Sequence, residues 1–154
     1  MSSTKEKTLY IDASGQILGR LASIIAKKLL EGFHVYVFNA EKAVISGKRS
    51  RVIESYKKLL KVRSHVNPEK GVKRPRNPVN IFKHAVRGML PKTKPHGREA
   101  FKRLKVYIGI PPDFVNVELV KFNEADCSRL RGRYITVEEV SRSMGWKGGE
   151  IVEH

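Results

Sequence analysis

Apolar residues recur at Leu18, Leu21, Ala22, Ile25, Ala26, Leu29 and Leu30. That is the three-and-four spacing of one helix face, and it predicts a helix over 18–30. Gly32 follows it, where a glycine commonly ends a helix in the left-handed conformation. On either side lie short apolar runs rich in β-formers, Thr8 to Ala13 and Val35 to Phe38. Each reads as a strand. Strand, helix and strand within about thirty residues predict a βαβ unit with parallel strands, since a parallel pair needs a crossover of this length. Asp12 or Ser14 is the expected cap of the helix, and Ala43 to Ile45 a further short strand.

The pattern changes after Gly47. Val52, Ile53, Tyr56, Leu59 and Leu60 share one face of a second predicted helix, Lys48 to Lys61, ringed by Lys and Arg. Val62 to Pro78 has no period and three prolines, and is predicted as a loop. Val79 to Leu90 is again helical, with Pro78 at its start, where proline is tolerated, and Pro91 as its stop. A short helix over Gly97 to Arg103 and a last strand over Lys105 to Ile108 follow. From Pro111-Pro112 onward the composition shifts. Val117 to Phe122 reads as a strand, and Thr136 with Glu139 as a capping box before a short helix ending near Gly145. The chain is thus expected to be an α/β domain over 1–110 with a C-terminal extension over 111–154 packed on it.

Charge sharpens this picture. Residues 48–105 hold 19 Lys and Arg against 3 Asp and Glu, an excess equal to the whole net charge of +16. The two flanks cancel each other. A charge needed only for solubility is scattered; one gathered in a single stretch is suited to a polyanion. The prolines at 68, 75, 78, 91 and 95 prevent that stretch from being one amphipathic membrane-surface helix. No apolar run approaches the length of a membrane span or a secretory leader, and a soluble, cytosolic protein is expected. Cys127 is the only cysteine, so no intrachain disulfide or Cys-based zinc site is available.

The chemistry-bearing motifs fail their tests. Gly15 and Gly19 stand at a strand-to-helix turn, but their spacing is not that of a dinucleotide fingerprint. Gly47-Lys48-Arg49-Ser50 resembles the end of a phosphate loop, but Lys42 and Arg49 occupy the positions that need Gly and Ser or Thr. The five histidines form no metal-ligand pair, and no acid/base pair points to catalysis. No catalytic residue, metal, cofactor or small-molecule substrate is expected. The basic stretch remains, and RNA bound through its phosphates is the partner it fits. The expected contacts are Lys48, Arg49, Arg51, Lys57, Lys58 and Lys61 on the second helix; Arg63, His65, Lys73, Arg74 and Arg76 in the loop; and Arg87, Lys92, Lys94, Arg98, Lys102 and Arg103 beyond it. Tyr56, Phe82 and Phe101 are the aromatics within 48–105, and two of them fall on core-facing positions. Backbone and shape recognition of folded RNA is therefore expected, rather than base stacking. The alternative reading is an RNA-modifying or nucleotide-binding enzyme on an α/β fold.

Four blocks resemble the ribosomal protein L13 family: Ile11-Asp12-Ala13 with Leu18-Gly19-Arg20-Leu21-Ala22-Ser23, Val37 to Lys42 with Ser46-Gly47-Lys48-Arg49, Ala85-Val86-Arg87-Gly88-Met89-Leu90-Pro91-Lys92, and Leu104 to Gly109. They occur in family order over roughly residues 9–110. The resemblance implies a three-layer α/β/α fold around a small, mostly parallel sheet. It also implies a structural role in the large ribosomal subunit, with large-subunit ribosomal RNA and neighbouring ribosomal proteins as partners. The segment 50–78 and the tail after Pro111 look like the archaeal and eukaryotic branch.

Overall fold

The computed structural model describes residues 7–60 and 76–148. Three parallel strands form the central sheet in the order β1 (Thr8–Asp12), β2 (His34–Phe38), β4 (Leu104–Val106). Ile11 pairs with Val37 and Val37 with Val106; Tyr10 pairs with Tyr36 and Tyr36 with Lys105. Because neighbours in register point to one face, this pairing sorts the side chains into two sets.

The first set is aliphatic. Ile11, Val35, Val37, Leu104 and Val106 are buried in one cluster with Leu21, Ile25 and Leu29 of α1 (Leu18–Leu30) and with Ile81, Phe82 and Val86 of α3 (Pro78–Arg87). α1 ends in a Schellman motif: Gly32, at φ 99°, donates to the Leu29 carbonyl, and Phe33 donates to Lys28. That reversal delivers the chain straight into β2. The second set is aromatic. Tyr10, Tyr36, Phe38 and Tyr107 lie on the opposite face, and the Phe114 ring sits over them at centroid distances of 5.1–6.1 Å.

A second, antiparallel pair joins β3 (Val44–Ser46) to β5 (Tyr134–Thr136). β5 runs into α5 (Val137–Ser143), whose cap is the Thr136 hydroxyl accepting from the Glu139 amide at 3.3 Å. Thr136→Ala is expected to cost about 1 kcal/mol and to lower Tm by roughly 2–4 °C, as read by thermal denaturation. An unchanged Tm would mean that this hydroxyl does not hold α5. Between β3 and α3 comes α2 (Arg49–Leu60), and α4 (Pro95–Lys102) follows α3.

The α/β fold with its small parallel sheet is borne out, as is the βαβ opening. The last strand runs Leu104–Val106 and the helix before it Pro95–Lys102, each shifted from the predicted bounds. Further details differ. Val117 to Phe122 is not a strand. Val120 makes one bridge, taking the Asp12 amide on its carbonyl and donating to Tyr10, after which the Phe122 amide turns to the Gln16 side chain. α3 ends at Arg87, before Pro91, because Gly88 caps it and the Met89 and Leu90 amides close a turn on Val86 and Arg87. The N-cap of α1 is Ile17, without a side-chain bond. Asp12 accepts instead from the Ser14 amide and from the Asn39 side chain, at 2.9 and 3.0 Å. Most of the predicted 62–78 loop lies outside the described residues.

Candidate nucleic-acid interface

Two basic grooves stand out on the surface. The first lies between α2 and the start of β5. Lys48, Arg49, Lys57, Lys58 and Arg133 line it, with Ile53 and Tyr134 as its apolar lining and Ser50 and Glu54 beside them; its volume is about 850 Å³. The amphipathic pattern of α2 explains the arrangement. Val52 turns inward, and Tyr56 is buried enough for desolvation to raise its phenol above the usual tyrosine range. The cations between these anchors are left facing solvent. Strand pairing supplies the other wall. Gly47 donates to the Arg133 carbonyl at 2.9 Å and Ser46 pairs with Tyr134, which sets Arg133 and Tyr134 beside the entry to α2. Glu139 of α5 steadies Arg49 at 3.5 Å, and Lys58 sits 3.8 Å from Glu54. Both pairs are exposed, so each leaves its cation exchangeable to a stronger anion.

The second groove, of about 380 Å³, separates the end of α3 from α4. Arg87, Lys92, Arg98 and Lys102 line it over Leu90, Pro91 and Phe101. Its closeness depends on Gly97, whose Cα faces the Pro91 carbonyl. Elsewhere on α3, burial, reinforced by the nearby Lys105 cation, lowers the pKa of Lys83.

Of the predicted contacts, Lys48, Arg49, Lys57 and Lys58 come together in the first groove and Arg87, Lys92, Arg98 and Lys102 in the second. Arg51, Arg76 and Lys94 are exposed but line neither. Arg103 is turned inward: its guanidinium donates to the Leu29 carbonyl at the end of α1, at 2.6 Å. Lys61, Arg63, His65, Lys73 and Arg74 lie outside the described residues. Arg133 and Tyr134 were not among the predicted contacts. Only the pairing of β3 with β5 reveals them, and nothing local in the sequence announces that pairing.

The backbone amides of the turn at Gly15 are all engaged, leaving none for a phosphate. The Ser14 amide bonds Asp12, Gly15 bonds the Lys42 carbonyl, Gln16 bonds Ala13 and Ile17 bonds Ala125. Cys127 donates to the Gly15 carbonyl from above, and Gln16 is buried. This turn is a fastening point for residues 120–127. Among the described residues no group of three His, Cys, Asp or Glu is placed to hold a metal ion, and no helix is long and apolar enough to cross a membrane.

Comparison with known proteins places this geometry in context. The sequence pattern of the family described as ribosomal protein L13 matches residues 6–113. The large ribosomal subunit protein uL13 of Sulfolobus acidocaldarius is 52% identical over 144 residues, covering 93% of this chain and 97% of that protein. Its counterpart in Saccharolobus solfataricus is 50% identical over 145 residues, covering 94% and 97%. That of Aeropyrum pernix is 52% identical, with 93% of each chain covered.

Proposed function

The chain belongs to the ribosomal protein L13 family, and from that premise we propose that it is a structural constituent of the large ribosomal subunit, bound to large-subunit ribosomal RNA and in contact with neighbouring ribosomal proteins. The observation that carries the RNA reading is the gathering of eight predicted contacts into two grooves, four in each. Lys and Arg there displace condensed counterions from RNA phosphates, and the release of those ions drives binding. Arg contributes a planar fork that matches a phosphate, Lys a mobile point charge. Held on α2 and on the α3–α4 corner of one folded body, the grooves bind separate phosphate runs and thereby fix one RNA segment against another. No chemical step is needed for that role. In this reading residues 1–110 form the RNA-binding domain, and 111–154 brace it by fastening to the Gly15 turn and to β3.

Purified protein is expected to bind large-subunit ribosomal RNA more tightly than small-subunit ribosomal RNA or random duplex DNA of equal length at one salt concentration. Log K should fall linearly with log salt. Filter binding of labelled transcripts measures both. Equal affinity for all three polyanions would contradict the proposal.

A further inference from the structure

The first groove contains a feature that phosphate binding leaves unused. Tyr134 is a large aromatic residue, half exposed, on the wall of a groove whose charged lining is mostly cationic. Its position is fixed, because β5 is hydrogen-bonded to β3 and the Gly47 amide holds the Arg133 carbonyl beside it. A rigid ring in water forgoes burial, and an occupant that covers its face recovers it. The occupant must tolerate Lys48, Arg49, Lys57, Lys58 and Arg133 as neighbours. Glu54 is the one acid in the lining, and Lys58 stands next to it.

That surround disfavours a basic protein segment and favours an anionic ligand that also carries a flat apolar face. A nucleotide has both. In an RNA duplex the base faces are already stacked and the major groove is too narrow for a side chain. Only an unpaired nucleotide, in a loop or bulge, offers its face to Tyr134. We infer that the groove between α2 and β5 is a subsite for one unpaired RNA nucleotide, its base stacked on Tyr134 and its flanking phosphates held by Lys57, Lys58 and Arg133. The inference rests on the RNA reading above and adds a stacking contact to what 48–105 contribute alone. The ring comes from the near-neutral tail, outside the stretch where aromatics are scarce.

The test is filter binding of the full chain to in vitro transcribed large-subunit ribosomal RNA across a salt series. Loss of one stacked base is expected to weaken binding about tenfold for Tyr134→Ala. Tyr134→Leu, which keeps bulk on the strand but has no π face, should match it. Tyr134→Phe should stay within about twofold of the parent, since stacking needs no hydroxyl. The slope of log K against log salt should be the same in all four proteins, because every phosphate keeps its cation. Parental affinity in the Ala and Leu variants would overturn the subsite, as would a fall in Phe equal to that in Leu, or a changed slope. Each of these results leaves the preference for large-subunit RNA standing. Loss of that preference in the parent protein would instead remove the RNA reading itself.

Discussion

Replacing Gly97 with alanine is expected to unfold the α3–α4 corner and to lower the stability of the whole chain by more than about 3 kcal/mol. A Cβ at this position would collide with the Pro91 carbonyl oxygen and stand 2.8 Å from its carbon and Cγ. The obstruction is backbone, so no rotamer change relieves it. Either α4 lifts from the chain leaving α3, or the turn around Pro91 moves. Both separate Arg87 and Lys92 from Arg98 and Lys102. Ala100, which is fully buried, and Phe101, packed at the core's edge, are pulled out with the helix. Gly19→Ala is the matched control. Gly19 is exposed in α1, and an added Cβ there meets nothing within 4 Å. It should be neutral or raise stability by about 0.5–1 kcal/mol, since alanine is the better helix former. Urea unfolding of the two variants measures the contrast; equal midpoints would mean that the close approach of α4 to Pro91 is not needed.

The second large effect concerns RNA binding. Reversing Lys57 and Lys58 to Glu is expected to weaken binding to large-subunit RNA about 30- to 100-fold at low salt and to flatten the salt slope by about two, one for each phosphate that α2 no longer neutralises. Both side chains are exposed on α2, so the fold should hold within about half a kcal/mol. The control is Arg20→Glu with Lys27→Glu, which changes the net charge equally but on the exposed side of α1. If placement matters, the control retains the slope. If both doubles weaken binding alike, only total charge counts and the α2 groove has no special role.

The parts of the fold that were legible in the sequence are those whose signal is local. α1 spans Leu18–Leu30, the same range that its apolar spacing and Gly32 predict, because helix, stop and buried stripe are written in consecutive residues. α2 lies within one residue of its predicted ends for the same reason. What escaped depends on distant partners. Val117 to Phe122 has strand-like composition, yet only Val120 reaches Ile11, because Gln16 draws the Phe122 amide away. The three residues of β5 have no periodicity of their own and become a strand only where β3 is waiting. Asp12 looks like a cap in sequence; in the folded chain Asn39, left-handed at φ 56°, competes for its carboxylate and helps lock β2 to the first turn.

The candidate interface divides along the same line. A basic stretch is visible as composition, and which of its cations face outward follows largely from helical period, as Lys57 and Lys58 show. Composition does not reveal direction in an irregular segment. Arg103 reads like its neighbours but caps α1 at the Leu29 carbonyl. Nor does a charge count find Arg133 and Tyr134, which lie in a stretch of opposite net charge and join the groove through strand pairing. Gly97 is equally silent in sequence, since its role comes from the Pro91 carbonyl that faces it.

Whether these grooves hold large-subunit ribosomal RNA is decided by ultraviolet crosslinking in intact cells. The attached RNA is sequenced and the attached peptides are mapped from the same material. Large-subunit ribosomal RNA is expected on peptides containing Lys48–Lys58, Arg87–Lys102 and Arg133–Tyr134. Crosslinks dominated by another RNA, or confined to the aromatic sheet face around Tyr36 and Phe114, would contradict that expectation.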